Sequence, residues 1–208
     1  MKTSLVFLRH AEVELRYHRI FGGRLDMGLS DLGKEQANRL ASWLKRFSFD
    51  ALYASPMKRV QLTLEPFLGY TPMEPKVLHD LREVDFGDWT GLAWTEVHDR
   101  FGISAFDWLQ VLHSGGFPNG ETGEQLLRRT SACLQQILES HRGGKVAVFA
   151  HGGVIRAILS ELMGIPLQSM ERIEVDYAGA TWVDVGEVKG GRPRIEVQLL
   201  NFTPWRDL

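Results

Sequence analysis

Two short apolar runs, each ending at a histidine, constrain this chain more than any other feature. Ser4-Leu-Val-Phe-Leu8 runs into Arg9-His10, and Val146-Ala-Val-Phe149 runs into Ala150-His151-Gly152-Gly153. A continuous apolar run of that length, bounded by polar and glycine residues, reads as a buried β-strand. Strands of this kind alternate along the chain with helical patterns, which argues an α/β fold: a mostly parallel sheet with helices on both faces. In such a sheet, ligands bind in the crevice outside the carboxyl ends of the strands. Both histidines stand at strand ends, one beside an arginine. That arrangement points to an anion site, and first of all to a phosphoryl group.

The bulk properties narrow the class. A chain of 208 residues suits one sizeable core better than two independent ones, so residues 1–208 are expected to form a single domain. Net charge is −2, with 24% charged and 44% hydrophobic residues. This gives no basic excess of the kind a nucleic-acid surface needs. Attraction for anions must therefore be local. The lone cysteine, Cys133, allows no internal disulfide and falls in an apolar helical stripe, which reads as core. No stretch approaches the ~20 apolar residues of a membrane span, and the N-terminus lacks a secretory pattern. A cytoplasmic location is expected, without nucleic-acid or membrane partners. A homodimer is left open.

Along the chain, Ser30 reads as the cap of a helix through about Phe47, with Leu32, Ala37, Leu40, Trp43, Leu44 and Phe47 on one face. Residues 50–54 read as a second buried strand. Ser55-Pro56 reads as a cap followed by proline at the first helical position. Val77 and Leu78 suggest a third strand. Residues 92–120 read as a helical insert rich in large apolar groups, broken at Gly102 and stopped at Gly115-Gly116, packed over one side of the site. Residues 121–141 form the longest helix, and 153–163 another that ends at Gly164. Alternating runs at 171–177, 180–188 and 194–200 follow, the last two joined by a turn at Lys189-Gly190-Gly191-Arg192-Pro193. Antiparallel strands at one sheet edge are expected there.

Four segments carry candidate chemistry. Arg9 offers a planar fork matched to phosphate oxygens, and His10 an imidazole nitrogen able to attack phosphorus when neutral. Nearby cations are expected to keep His10 neutral. His151-Gly152-Gly153 opens a helix whose bare backbone amides suit an anion. Arg59, one residue into a helix after the second strand, would point over the same sheet edge. Glu83, after the third strand in part-apolar surroundings, is a candidate general acid. Each has an ordinary reading when taken singly: a surface Arg-His pair, a helix cap, a solvated basic turn, an exposed glutamate. His79-Asp80 and His98-Asp99 resemble metal-phosphohydrolase pairs, but the strand-rich pattern lacks the all-helical scaffold such sites use. Trp89, Trp94, Phe101 and Trp108 read as core before substrate platform, and His18, His113 and His141 as surface or rim residues.

Together the four segments resemble the pattern of the histidine phosphatase superfamily, the phosphoglycerate-mutase-like fold. The elements are an Arg-His opening (Arg9-His10-Ala11-Glu12), Ser55-x-x-x-Arg59, Glu83-x-x-x-Gly87-x-x-x-Gly91 and a late His151-Gly152. Gly23-x-x-Asp26-x-x-Leu29-Ser30-x-x-Gly33 and Pro118-x-Gly120-Glu121-Thr122 also match. The resemblance implies a three-layer sandwich and an acid-type phosphatase, a phosphoric monoester hydrolase. It implies that His10 becomes phosphohistidine, that Arg9, Arg59 and His151 hold the phosphoryl group, and that Glu83 protonates the leaving oxygen. Gly22, Gly23, Gly152 and Arg16 would contribute to substrate binding. No metal or organic cofactor is implied, and the partner would be a small phosphorylated metabolite. The run His151-Gly-Gly-Val-Ile-Arg156 is similar to the α-ribazole phosphatase group and its broad-specificity neighbours. The alternatives are a cofactor-dependent phosphoglycerate mutase and a catalytically silent phosphate- or protein-binding module.

The chain departs from the pattern at Ala11, where glycine is usual, at Val13, where serine or threonine is common, at Gly22, often hydroxylated, and at Arg16, where asparagine often stands. Arg16 could add a cation to the pocket or swing to solvent.

Overall fold

Strand alternation sets the layers. The computed structural model describes residues 1–189 and 192–208. In β1 (Thr3–Arg9), β2 (Ala51–Ala54) and β4 (Lys145–Ala150), side chains on both faces are buried. Leu5, Phe7, Tyr53, Val146 and Val148 join one core, while Val6, Leu8, Leu52, Ala147 and Phe149 join the other. Successive strand residues point to opposite faces, so an unbroken apolar run requires cover on both sides. On one face, α1 (Asp31–Leu44) and α2 (Lys58–Leu68) supply it. On the other, α5 (Gly123–Ser140) and α6 (Gly152–Met163) do so, with α3 (Trp94–Phe101) and α4 (Trp108–His113) beside them. The result is the expected three-layer α/β sandwich.

With β3 (Lys76–Val77), β5 (Ala180–Lys189) and β6 (Arg192–Phe202), the sheet order is β3-β2-β4-β1-β5-β6. The first four strands are parallel, whereas β5 and β6 close one edge antiparallel. β4 is inserted between β1 and β2, so the chain leaves three adjacent strand ends side by side. His10, Ser55 and His151 each follow one of those ends. A short α7 (Pro204–Asp207) ends the chain. Among the described residues no helix is long and apolar enough to cross a membrane.

Several local expectations need correction. α1 is capped by Ser30, whose hydroxyl accepts the Gly33 amide, but it ends at Leu44, and Leu32 is exposed. α2 begins at Lys58 after an extended Met57, not at Pro56. The Ser55 hydroxyl faces His151 Nε2 at 2.8 Å and accepts the Met57 amide at 3.4 Å, two residues ahead of the position that precedes α2. Residues 171–177 are no strand: Leu167–Arg172 is a 3-10 helix. Beyond it, side chains take the backbone groups that a ladder would use: Arg9 donates to the Val175 carbonyl, and Asn201 Oδ1 accepts the Asp176 amide. The expected β5–β6 turn falls partly on Gly190 and Gly191, outside the described residues. Cys133 is buried, and its thiol is pushed up to about 11, chiefly by burial. That leaves it inert as a nucleophile.

Candidate active site

At the carboxyl end of β1 the chain turns inward, and His10 is buried against two other rings. Its centroid lies 5.2 Å from that of His151 and 5.5 Å from that of Tyr177. His10 Nδ1 stands 2.9 Å from the Ala11 carbonyl oxygen. A carbonyl only accepts, so Nδ1 carries the proton and Nε2 the lone pair. That lone pair receives the N–H of Arg59 Nε at 3.1 Å. Burial holds the His10 ring well below its usual value of 6.5, with Arg59 and Arg9 adding to the shift. Cations were expected to be the cause, but desolvation comes first.

Arg59 is buried on the first turn of α2 and donates also to the Leu25 carbonyl at 3.0 Å and the Gly23 carbonyl at 2.8 Å. Burial pulls it down to about 10, still a cation at neutral pH. These two bonds tie the 22–25 loop to the pocket floor. The Thr63 hydroxyl, one turn on, accepts the Ala11 amide at 2.9 Å and donates to the Arg59 carbonyl at 2.7 Å. It thereby links the nucleophile's loop to the arginine's helix. Arg9 lies over the Tyr177 ring, 4.1 Å from its centroid, and donates to the Val175 carbonyl.

His151 is fully enclosed, and burial, then Arg59, His10 and Arg9, hold it well below 6.5. Its Nδ1 and the Arg9 Nε are buried with no hydrogen-bond partner among the described residues. Unpaired buried polar atoms are costly and call for an explanation. Both belong to the site.

Glu83 reaches the start of α6, where its carboxylate accepts the Gly153 amide at 3.3 Å and the Val84 amide at 3.0 Å. A Cβ at Gly153 would sit 2.6 Å from Glu83 Oε1. Any side chain there would displace the carboxylate. The Glu83 segment is clamped from behind by Arg129, which donates to the carbonyls of Asp80, Arg82 and Glu83 while paired with buried Glu121. Glu121 also accepts the Asp85 amide.

Arg9, His10, Gly22, Gly23, Arg59, Glu83 and Gly152 line one cavity of about 320 Å³, and His151 packs against His10 behind its wall. Its outer wall comes from the insert: Trp94, Phe106 and Trp108 line it, with Phe106 73% exposed, whereas Trp89 is core. Arg16 is the residue the structure does not bring in. It pairs with Glu14 at 3.0 Å, packs over Tyr17 and faces a separate surface cavity. A carboxylate two residues away captures it before the pocket can. Ala11 is accommodated in the core below, and Val13 lines the cavity. Among the described residues no three histidine, cysteine, aspartate or glutamate side chains cluster as metal ligands.

Sequence reading missed Ser55 as a partner of His151, Arg129 as the clamp on the Glu83 segment, and Tyr177 and Arg156 as pocket residues. The Ser55-x-x-x-Arg59 spacing was the available signal for the first. Nothing local marks Arg129 or Tyr177, because their partners lie far off in sequence.

Comparison with known proteins gives the family and the fold. The family model described as histidine phosphatase superfamily (branch 1) matches residues 5–198. Phosphoserine phosphatase 1 of Hydrogenobacter thermophilus is 30% identical over 89% of this chain and 88% of its own length. The adenosylcobalamin/α-ribazole phosphatase of Escherichia coli is 25% identical over 88% of this chain and 90% of its own. A mycobacterial glucosyl-3-phosphoglycerate phosphatase superposes with TM-score 0.84 at 22% identity, over 97% of this chain and 99% of that one, which shows the shared fold.

Proposed function

The chain belongs to the histidine phosphatase superfamily (branch 1), and on that premise we propose that it hydrolyses small phosphomonoesters through a phosphohistidine on His10. The observation that carries this reading is the His10 tautomer, with Nδ1–H committed to the Ala11 carbonyl and the Nε2 lone pair turned toward Arg59. Substrate binding moves the Arg59 Nε–H from Nε2 to a phosphoryl oxygen and bares the lone pair. The Arg9 Nε and the His151 Nδ1, both unpartnered among the described residues, supply further donors, and the Gly152 amide opens a helix toward the same charge. With the Ser55 hydroxyl donating to His151 Nε2, its Nδ1 holds the proton.

His10 Nε2 attacks phosphorus in line. The P–N bond forms as the ester P–O bond breaks, and the Glu83 carboxyl gives its proton to the departing alkoxide. Water then attacks the phosphohistidine, Glu83 takes up the water's proton, and the neutral imidazole is restored. Phosphomonoester hydrolysis needs up to ~10²¹-fold acceleration, and fixed donors around the transferring group are the means a site like this has. Burial that keeps His10 neutral below pH 6.5 supports an acid-type enzyme. One relative is named for phosphoserine and another for α-ribazole; small phosphomonoesters are the class they share.

The test is hydrolysis of p-nitrophenyl phosphate by the wild type and by His10→Ala. Turnover abolished by the substitution supports the reading; turnover that survives it overturns it. No turnover at all would leave the silent binding module standing. A mutase would isomerise phosphoglycerate when primed with 2,3-bisphosphoglycerate, and no such isomerisation is expected.

A further inference from the structure

The pocket holds one guanidinium more than phosphoryl transfer needs. Arg156, on the second turn of α6, lines the cavity with Arg9, His10 and Glu83. A Cβ at Gly152 would lie 3.2 Å from Arg156 Nη1 and 3.5 Å from Arg9 Nε, so the two guanidinium groups flank the same glycine. Arg129 shows what an enclosed arginine ordinarily does here, since it is paired with a carboxylate. Arg156 forms no ion pair among the described residues. Its own bonds are marginal, to the Met170 carbonyl at 3.3 Å and the Gly152 carbonyl at 3.5 Å. Nη2 has no protein acceptor among the described residues. Burial and the Arg9 charge both work against this cation, while Glu174 and Glu83 favour it. Glu83 stands over the next glycine, its Oε1 2.6 Å from where a Gly153 Cβ would lie, so Arg156 and the candidate acid share one stretch of the pocket wall.

Resting on the phosphatase reading above, we propose that Arg156 receives a carboxylate carried by the leaving alcohol, so that the substrates are phosphomonoesters of hydroxy acids. The free edge of a guanidinium matches a carboxylate in two-point contact. A second phosphate fits less well, because exposed Glu171 and Glu174 stand on the same rim and repel a dianion more than a monoanion. The same two glutamates accommodate an ammonium beside the carboxylate, which brings hydroxy amino acids into the class. α-Ribazole phosphate, with no carboxylate, falls outside it.

Two matched pairs isolate the carboxylate: O-phosphoserine against O-phosphoethanolamine, and 3-phosphoglycerate against glycerol 3-phosphate. The wild type is expected to favour the acid of each pair at least tenfold in kcat/KM. Arg156→Gln should reduce that preference at least tenfold, and Arg156→Lys should keep part of it. Equal rates on both members of each pair with the wild type would overturn the proposal without any variant. So would a preference unchanged in Arg156→Gln, or one in which the variant loses affinity for inorganic phosphate to the same extent, because Arg156 would then grip the phosphoryl group itself. Turnover that persists in His10→Ala would instead bring down the phosphohistidine reading, and no turnover by the wild type on any of the four esters would bring down the phosphatase reading.

Discussion

His10 serves as a nucleophile only while Nδ1 keeps its proton and Nε2 its lone pair, and its neighbours enforce both. The same logic applies to His151, whose orientation depends on one hydroxyl, Ser55 Oγ at 2.8 Å. Ser55→Ala leaves a buried nitrogen unpaired, at a cost of about 1–3 kcal/mol, equivalent to roughly a fivefold to 150-fold loss of rate. That loss should appear in kcat on p-nitrophenyl phosphate, with the fold intact by circular dichroism; an unchanged kcat would remove Ser55 from the site. At this scale the sequence was legible wherever chemistry and strand ends coincide. Arg9, His10, Arg59, Glu83 and His151 all reach the pocket region, four of them as lining residues and His151 packed against His10. Arg16 misled because a side chain's destination depends on its nearest opposite charge, here Glu14, and not on its place in a motif.

At the scale of elements, the Glu83 segment shows how a loop can be made rigid without regular structure. Arg129 on α5 and Glu121 just before it hold carbonyls and an amide across residues 80–85. Breaking a buried ion pair by removing one partner costs about 3–5 kcal/mol. Arg129→Ala should lower the unfolding free energy by about that much, measured by denaturant titration. It should also slow hydrolysis of alkyl phosphates more than that of p-nitrophenyl phosphate, whose leaving group needs no acid. Equal slowing would mean that the clamp stabilises the fold without placing Glu83. Helices with an apolar stripe and a cap were legible, as with α1, whose Ser30 cap accepts the Gly33 amide. The 171–177 segment was not. Its alternation matches a strand, yet its backbone is taken up by Arg9 and Asn201, partners that no local pattern shows.

For the whole molecule, net charge is slight, while Arg9, Arg59 and Arg156 line the pocket, so its pull on anions is a local one. Keeping two imidazoles buried and neutral has a thermodynamic consequence. His10 and His151 both lie well below 6.5 in the folded state, so the unfolded chain binds protons first as pH falls. Their stabilising contribution is complete above pH 6.5 and declines below it, by up to about 1.4 kcal/mol per pH unit for each ring. Chemical denaturation between pH 7 and pH 5 should show this decline, and His151→Ala should flatten it. A stability that stays level across that window would contradict the burial of neutral rings. The layered fold was legible because runs such as 4–8 and 146–149 demand cover on both faces; the division of helices between those faces was set by long-range packing.

The central claim is that His10 itself takes up phosphorus. Rapid acid-free quenching of the wild type with a labelled phosphomonoester, followed by peptide mapping, tests it most directly. The label is expected on the peptide containing His10, stable in alkali and lost in acid, and absent from His10→Ala. Turnover with no label on His10, or a label on any other residue, would contradict it.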